Sequence, residues 1–163
     1  MGRVLPLDEL AAVCRELREQ GKRIVFTNGC FDILHVGHTR YLQKARETGD
    51  CLVVAVNSDA SVRGLKGPTR PIVPQAERAE MLAALGCVDF VTIFDAPTPL
   101  ETIKALKPHF LVKGGDWSIE NIVGGPEVRS WGGEVKNITY IEGSSTSNII
   151  EEILKRHTVE KQA

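Results

Sequence analysis

Two histidines three residues apart, His35 and His38, close the string Asn28-Gly29-Cys30-Phe31-Asp32-Ile33-Leu34-His35-Val36-Gly37-His38. If both lie in the first turn of a helix, their rings share one face and can donate to the same phosphate oxygens. A helix start adds unpaired N–H groups and partial positive charge, and Gly29 and Gly37 let backbone approach an anion closely. The chemistry that suits this arrangement is phosphate binding with stabilisation of developing negative charge. Asp32, inside the same string, has three open uses: orienting the loop, touching a magnesium ion, or capping backbone N–H groups.

Three further clusters carry the same kind of chemistry. Leu65-Lys66-Gly67-Pro68-Thr69-Arg70-Pro71-Ile72, followed by Arg78, brings cations onto a segment shaped by glycine and proline. Phosphoryl transfer depends on positioning and charge neutralisation, so such a segment over an anion site makes sense, although a charged loop alone is usually just solvated. Lys113-Gly114-Gly115-Asp116-Trp117 follows an apolar run. Lys113 there suits phosphate, while Trp117 suits either a base or the protein interior. Ser144-Ser145-Thr146-Ser147 opens the last helical pattern, where hydroxyls serve as caps or as phosphate donors. No serine, cysteine or lysine in these clusters is paired with a base in the manner of a covalent nucleophile, which favours direct in-line transfer.

These residues need elements to hold them. Apolar spacing predicts a helix over Leu7 to Gln20 with Gly21 as its stop, a strand at Ile24 to Phe26, and a helix through Val36, Tyr41, Leu42 and Ala45 up to Gly49. Cys51 to Val56 reads as a strand covered on both faces, ending in polar Asn57-Ser58-Asp59. The glycines and prolines between Ser61 and Pro74 predict one long loop. Helix at 75–85, strand at 90–94, helix at 99–106, strand at 110–112, a short helix near 127–131, strand at 135–141 and helix at 146–156 complete the alternation. The pattern predicts an α/β fold, a single Rossmann-like open parallel sheet with helices on both faces. Ligands of such sheets bind at the carboxyl ends of the strands, near the switch in strand order, where every cluster above falls. The expected organisation is one domain: a helical N-terminal extension over 1–22, a catalytic core over 23–156 and a tail over 157–163.

The 163 residues carry 20 basic and 21 acidic side chains, so there is no surplus charge for a nucleic-acid backbone. Cys14, Cys30, Cys51 and Cys87 have no zinc-ligand spacing and read as small apolar residues. No apolar run approaches the roughly 20 residues of a membrane span. Neither nucleic acid nor membrane is an expected partner, and the expected location is cytoplasmic.

The string from Gly29 to His38 resembles the HxGH superfamily of nucleotidyltransferases, whose signature stands here as His35-Val36-Gly37-His38 after Gly29-Cys30-Phe31-Asp32. Lys66 to Ile72 is similar to that family's K-G-x-T-R-P-I segment, and Ser145 to Ile150 to its S-T-T-x-I-I pattern, with Ser147 in place of the second threonine. The resemblance implies His35, His38, Lys66 and Lys113 as catalytic residues. It implies Asn28, Gly29, Cys30, Phe31, Gly37, Ser145, Thr146 and Ser147 as nucleotide contacts, and Arg70, Arg78, Asp116 and Trp117 as contacts to the second substrate. ATP would be the co-substrate and Mg2+ the cofactor, with Asp32 as a candidate ligand. More narrowly, Leu82 to Asp89, Phe94 to Pro99 and Leu111 to Trp117 resemble the adenylyltransferases of ADP-heptose synthesis, which occur as half of a kinase-transferase or as separate proteins. That likeness implies AMP transfer from ATP to D-glycero-β-D-manno-heptose 1-phosphate, a separate heptose 7-phosphate kinase as pathway partner, and a homodimer. The alternatives are a glycerol-3-phosphate cytidylyltransferase and a non-catalytic nucleotide-binding regulatory module.

Overall fold

The computed structural model describes residues 1–115, 118–138 and 145–159, with 158 and 159 described by backbone alone. Six strands, β1 (Arg3–Val4), β2 (Ile24–Gly29), β3 (Cys51–Asn57), β4 (Phe90–Phe94), β5 (Phe110–Gly114) and β6 (Glu134–Ile138), form one sheet in the order β1-β4-β3-β2-β5-β6. Every neighbouring pair is parallel. The helices are α1 (Leu7–Glu19), α2 (Val36–Arg46), α3 (Asp59–Lys66), α4 (Gln75–Ala84), α5 (Leu100–Leu106), α6 (Gly125–Ser130) and α7 (Thr146–Val159), with a 3₁₀ turn at Ile119–Asn121.

Strand residues alternate between two apolar layers, as a sheet buried on both faces requires. Val25, Leu52, Val54, Val56, Val91 and Val112 face Tyr41, Leu42 and Ala45 of α2 and Ala79, Leu82 and Ala83 of α4. Ile24, Phe26, Cys51, Val53, Ala55 and Leu111 face Leu10 and Cys14 of α1, Ile103 and Leu106 of α5 and Val128 of α6. The chain steps outward from β2 to β3 to β4, then returns past them to place β5 on the other side of β2. The strand order therefore reverses between β2 and β5. There the ladder pairs only Val25 with Phe110 and Phe26 with Leu111, whereas β2 and β3 stay paired up to Gly29 and Val56. The carboxyl ends of β2 and β5 part, and a crevice opens between them.

Two expectations need correction. The segment from Ser61 to Pro74 is not one loop, because Asp59 to Lys66 forms α3. The Ser58 hydroxyl accepts from the Ser61 N–H at 3.0 Å to cap this helix, and Val62 is fully buried. Gly64 meets open space and is tolerated, and the chain turns only at Gly67, before the three prolines. Residues 1–22 are also more than a helix: Arg3 and Val4 pair with Phe90 and Val91 as a sixth strand, too short for periodicity to reveal. The last strand is described as far as Ile138; the rest of the predicted strand lies outside the described residues.

Gly124, which precedes α6, has φ 86°, and a Cβ there would lie 2.5 Å from Cδ1 of the fully buried Ile103. Backbone strain and overpacking then act together. Gly124→Ala should lower the free energy of unfolding by about 2 kcal/mol, read from urea denaturation.

Candidate active site

β2 ends at Gly29, and the loop that follows delivers His35 to the N-cap of α2 and His38 to its first turn. The His35 carbonyl accepts from the His38 N–H at 2.9 Å, so helix geometry itself sets the relation of the two side chains. Their rings stack with centroids 3.8 Å apart and 25° between planes. Phe31 supports the pair edge-on, 5.3 Å from the His38 ring. It does so from a left-handed backbone, φ 46°, a conformation costly for a residue with a Cβ. Its ring is buried against Gly29 and His38, so Phe31 offers no side-chain surface for a base.

Burial lowers the pKa of both histidines. In His38 burial and the neighbouring His35 together bring it down to about 4, and in His35 burial lowers it alone. In both rings the shift favours the neutral imidazole, which carries one N–H able to donate. Lys113 is the penultimate residue of β5, and burial brings its ammonium down to about 8 despite an opposing pull from Cys30. Lys66 ends α3 and is exposed.

The two lysines line one cavity of about 460 Å³ in the crevice between β2 and β5, together with Asn28, Gly29, Cys30 and Asn57. Pro97 to Pro99 and Asn121 to Val123 form its far wall. A second cavity, of about 500 Å³, has His35 on one side and Ser145, Asn148, Ile149 and Ile153 on the other. The loop from Asn28 to His35 thus borders both. Asn57 was visible in the sequence only as the polar end of a strand. Of the far wall, Pro97 to Pro99 entered the sequence reading only within the Phe94 to Pro99 likeness, and Asn121 to Val123 carried no signal, since such residues become ligand-facing only through the turns that place them.

Asp32 and the two arginines lie beneath this surface. Asp32 is 1% exposed and accepts from Arg70 Nε at 2.5 Å, from the Ile72 N–H at 2.8 Å and from the Val73 N–H at 2.8 Å. Burial alone would raise its pKa, but the Val73 and Ile72 N–H groups and the Arg70 guanidinium outweigh it and hold the carboxyl below its usual range. Both carboxylate oxygens are engaged, so Asp32 fits the loop-orienting role and not that of a metal ligand. Among the described residues no three His, Cys, Asp or Glu side chains are grouped to hold a metal ion.

Arg78 is 0% exposed and donates to the Val73 carbonyl, the Cys30 carbonyl and Asp59 Oδ1. Its guanidinium is therefore turned into the protein and is not presented to a second substrate, whereas Arg70 is anchored on Asp32 through Nε with its side chain 13% exposed. At α7 the Ser145 hydroxyl accepts from the Asn148 N–H at 3.0 Å, a capping bond. The Thr146 hydroxyl donates to the Ile33 carbonyl at 3.1 Å and ties α7 to the histidine loop. Ser147 is exposed. The remaining two sequence candidates, Asp116 and Trp117, lie outside the described residues.

An open parallel sheet with a histidine pair at a helix start and lysines at the strand-order switch defines a nucleotidyltransferase-type site. The chain belongs to the cytidylyltransferase-like family, which it matches over residues 26–152. Among its relatives, the bifunctional protein HldE of Geotalea uraniireducens is 60% identical over 147 residues, covering 90% of this chain and 30% of that protein. HldE of Geobacter sulfurreducens is 55% identical over 155 residues, covering 95% and 32%. The chain thus spans about a third of the length of these curated relatives. Among solved structures, the lipopolysaccharide core biosynthesis protein of Thermoplasma volcanium aligns with TM-score 0.63 and 28% identity over 76% of this chain and all of that one. Pantothenate synthetase of Thermus thermophilus shares the fold, with TM-score 0.63 at 17% identity over 90% of this chain and 67% of that one.

His38 sets a pH dependence. Its pKa is about 4 in the folded protein against an ordinary 6.5, so between these values the unfolded chain binds the proton more readily. The stability it confers is complete above pH 6.5 and falls as the pH drops toward 4. Thermal melts between pH 7 and 4 should show a shallower acid decline for His38→Asn than for the wild type.

Proposed function

We propose that the chain transfers AMP from ATP to D-glycero-β-D-manno-heptose 1-phosphate, giving ADP-heptose and pyrophosphate. The observation that carries this reading is the stacked His35–His38 pair on a loop bordering two cavities, one of which holds Lys66 and Lys113. The lysine cavity touches this loop at Asn28 to Cys30 and the other cavity touches it at His35, so ligands in the two would approach one another across it. Neutral imidazole N–H groups and two lysines are suited to a phosphate chain whose α-phosphorus gains negative charge as the acceptor oxygen attacks.

Direct in-line attack fits the residues present. Burial pushes the Cys30 thiol up against the pull of Lys66, Arg78 and Arg70, the reverse of what a nucleophilic thiolate needs. Asn28, Gly29, Gly37 and the start of α7 would contact the nucleotide through backbone N–H groups. ATP would arrive with Mg2+ held by its own phosphates, as that ion commonly binds, since Asp32 has no free oxygen to offer.

The heptose acceptor is supported by the motif likeness and by identity to the HldE proteins, and a relative described as a lipopolysaccharide core biosynthesis protein fits the same pathway. Kinase activity on heptose 7-phosphate would supply the acceptor. The family resemblance also supports a homodimer.

Pyrophosphate release measured with magnesium, ATP or CTP, and heptose 1-phosphate or glycerol 3-phosphate tests the reading. ATP with heptose 1-phosphate should be the best pair, and His35→Ala and His38→Ala should each reduce kcat by roughly 10²-fold. Better turnover of CTP with glycerol 3-phosphate would replace the heptose assignment, and no release from any pair would leave a nucleotide-binding module.

A further inference from the structure

We propose that Tyr41 is a positioning residue for Lys113, acting through the Val112 carbonyl at the point where β2 and β5 part. This rests on the reading of Lys113 as a phosphate-binding group. The ladder between the two strands ends with Phe26 and Leu111, and the next step would pair Thr27 with Val112. At that step a side chain takes the place of the ladder. The Tyr41 hydroxyl lies 2.6 Å from Thr27 Oγ1 and 3.2 Å from the Val112 carbonyl oxygen. A carbonyl only accepts, so Tyr41 donates to Val112 and Thr27 donates to Tyr41. Tyr41 is 4% and Thr27 0% exposed, so this relay runs through a dry interior where hydrogen bonds are strong and their loss is costly.

The alternation of strand side chains gives the relay its consequence. Val112 faces Tyr41 and the α2 layer, so its successor Lys113 faces the opposite layer, as Asn28 does after Thr27. Both successors line the lysine cavity. The relay sets the gap between the two strands one residue before Asn28 and Lys113 enter that cavity. Removing the Tyr41 hydroxyl leaves the Val112 carbonyl without this donor, and any relaxation there moves the Lys113 backbone directly.

Tyr41→Phe keeps the ring and deletes the hydroxyl; Thr27→Val breaks the other end of the relay, and Thr27→Ser preserves it. Pyrophosphate release, thermal melting and the NMR titration of the Lys113 ammonium, assigned with Lys113→Ala, are measured on each. Tyr41→Phe should lower kcat about 10-fold, with no further loss when added to Lys113→Ala. Thr27→Val should shift in the same direction and Thr27→Ser should match the wild type. The Lys113 titration should move in Tyr41→Phe from about 8 toward its ordinary value as the amine becomes better hydrated. Equal losses from Tyr41→Phe with and without Lys113, or an unmoved titration, would overturn the proposal. If Lys113→Ala turns over like the wild type, the role of Lys113 in the reaction fails, and the titration alone decides whether Tyr41 places the amine.

Discussion

The arrangement of the site depends on one buried cation. Arg78 is withdrawn from water, and the desolvation of a guanidinium costs several kcal/mol unless its donors are matched. Here Nε meets the Val73 carbonyl, one terminal nitrogen the Cys30 carbonyl and the other the Asp59 carboxylate. Those partners belong to three separate segments: the loop leading to the histidines, the turn after α3, and the first residue of α3. A charge that cannot be left unpaired thus fixes the mutual placement of segments that share no ladder. Asp32 does the same with opposite sign, gathering Arg70 and two N–H groups of the 67–74 turn.

The two lysines of the crevice are held by different means. Lys113 is presented by the sheet itself, near the end of β5. Lys66 is presented by a helix whose start is tied twice, by Asp59 to Arg78 and by the Ser58 hydroxyl to the Asp95 carboxylate beyond β4. Replacing Asp59 would therefore disturb the anchoring of Lys66 as well as leave Arg78 short of an acceptor. The histidines answer to neither device alone, because their relation is set by the first turn of α2 and their surroundings by the loop that Arg78 holds at Cys30.

Much of the fold and part of the site were legible in the sequence. Strands such as Cys51 to Val56 announce themselves as continuous apolar runs, and the spacing of His35 and His38 already implies a shared helix face. α3 was hidden because Gly64 lies on its open side and Gly67 with three prolines follows closely, while its Ser58 cap gives only a local cue. The arginines misled for a deeper reason. On a charged, glycine- and proline-rich stretch Arg70 and Arg78 look like substrate contacts, and only three dimensions show that the Arg78 guanidinium is buried among protein acceptors and that Nε of Arg70 is engaged by Asp32. The same applies to Phe31, whose position in the motif says nothing of its buried ring.

The outer side of the sheet next to β4 carries a further consequence. β4 reads Phe-Val-Thr-Ile-Phe, five uncharged residues dominated by aromatic and β-branched side chains, the composition that pairs readily with a like strand from another molecule. Among the described residues only β1, with Arg3 and Val4, lies along its other edge, and the Leu5 N–H continues the seal at the Val91 carbonyl. A two-residue strand carrying an arginine is itself a poor template for extension. Arg3 and Val4 thus occupy the edge of β4 that would otherwise be open to a further strand, and they do so far from the carboxyl ends of β2 and β5 where the site lies.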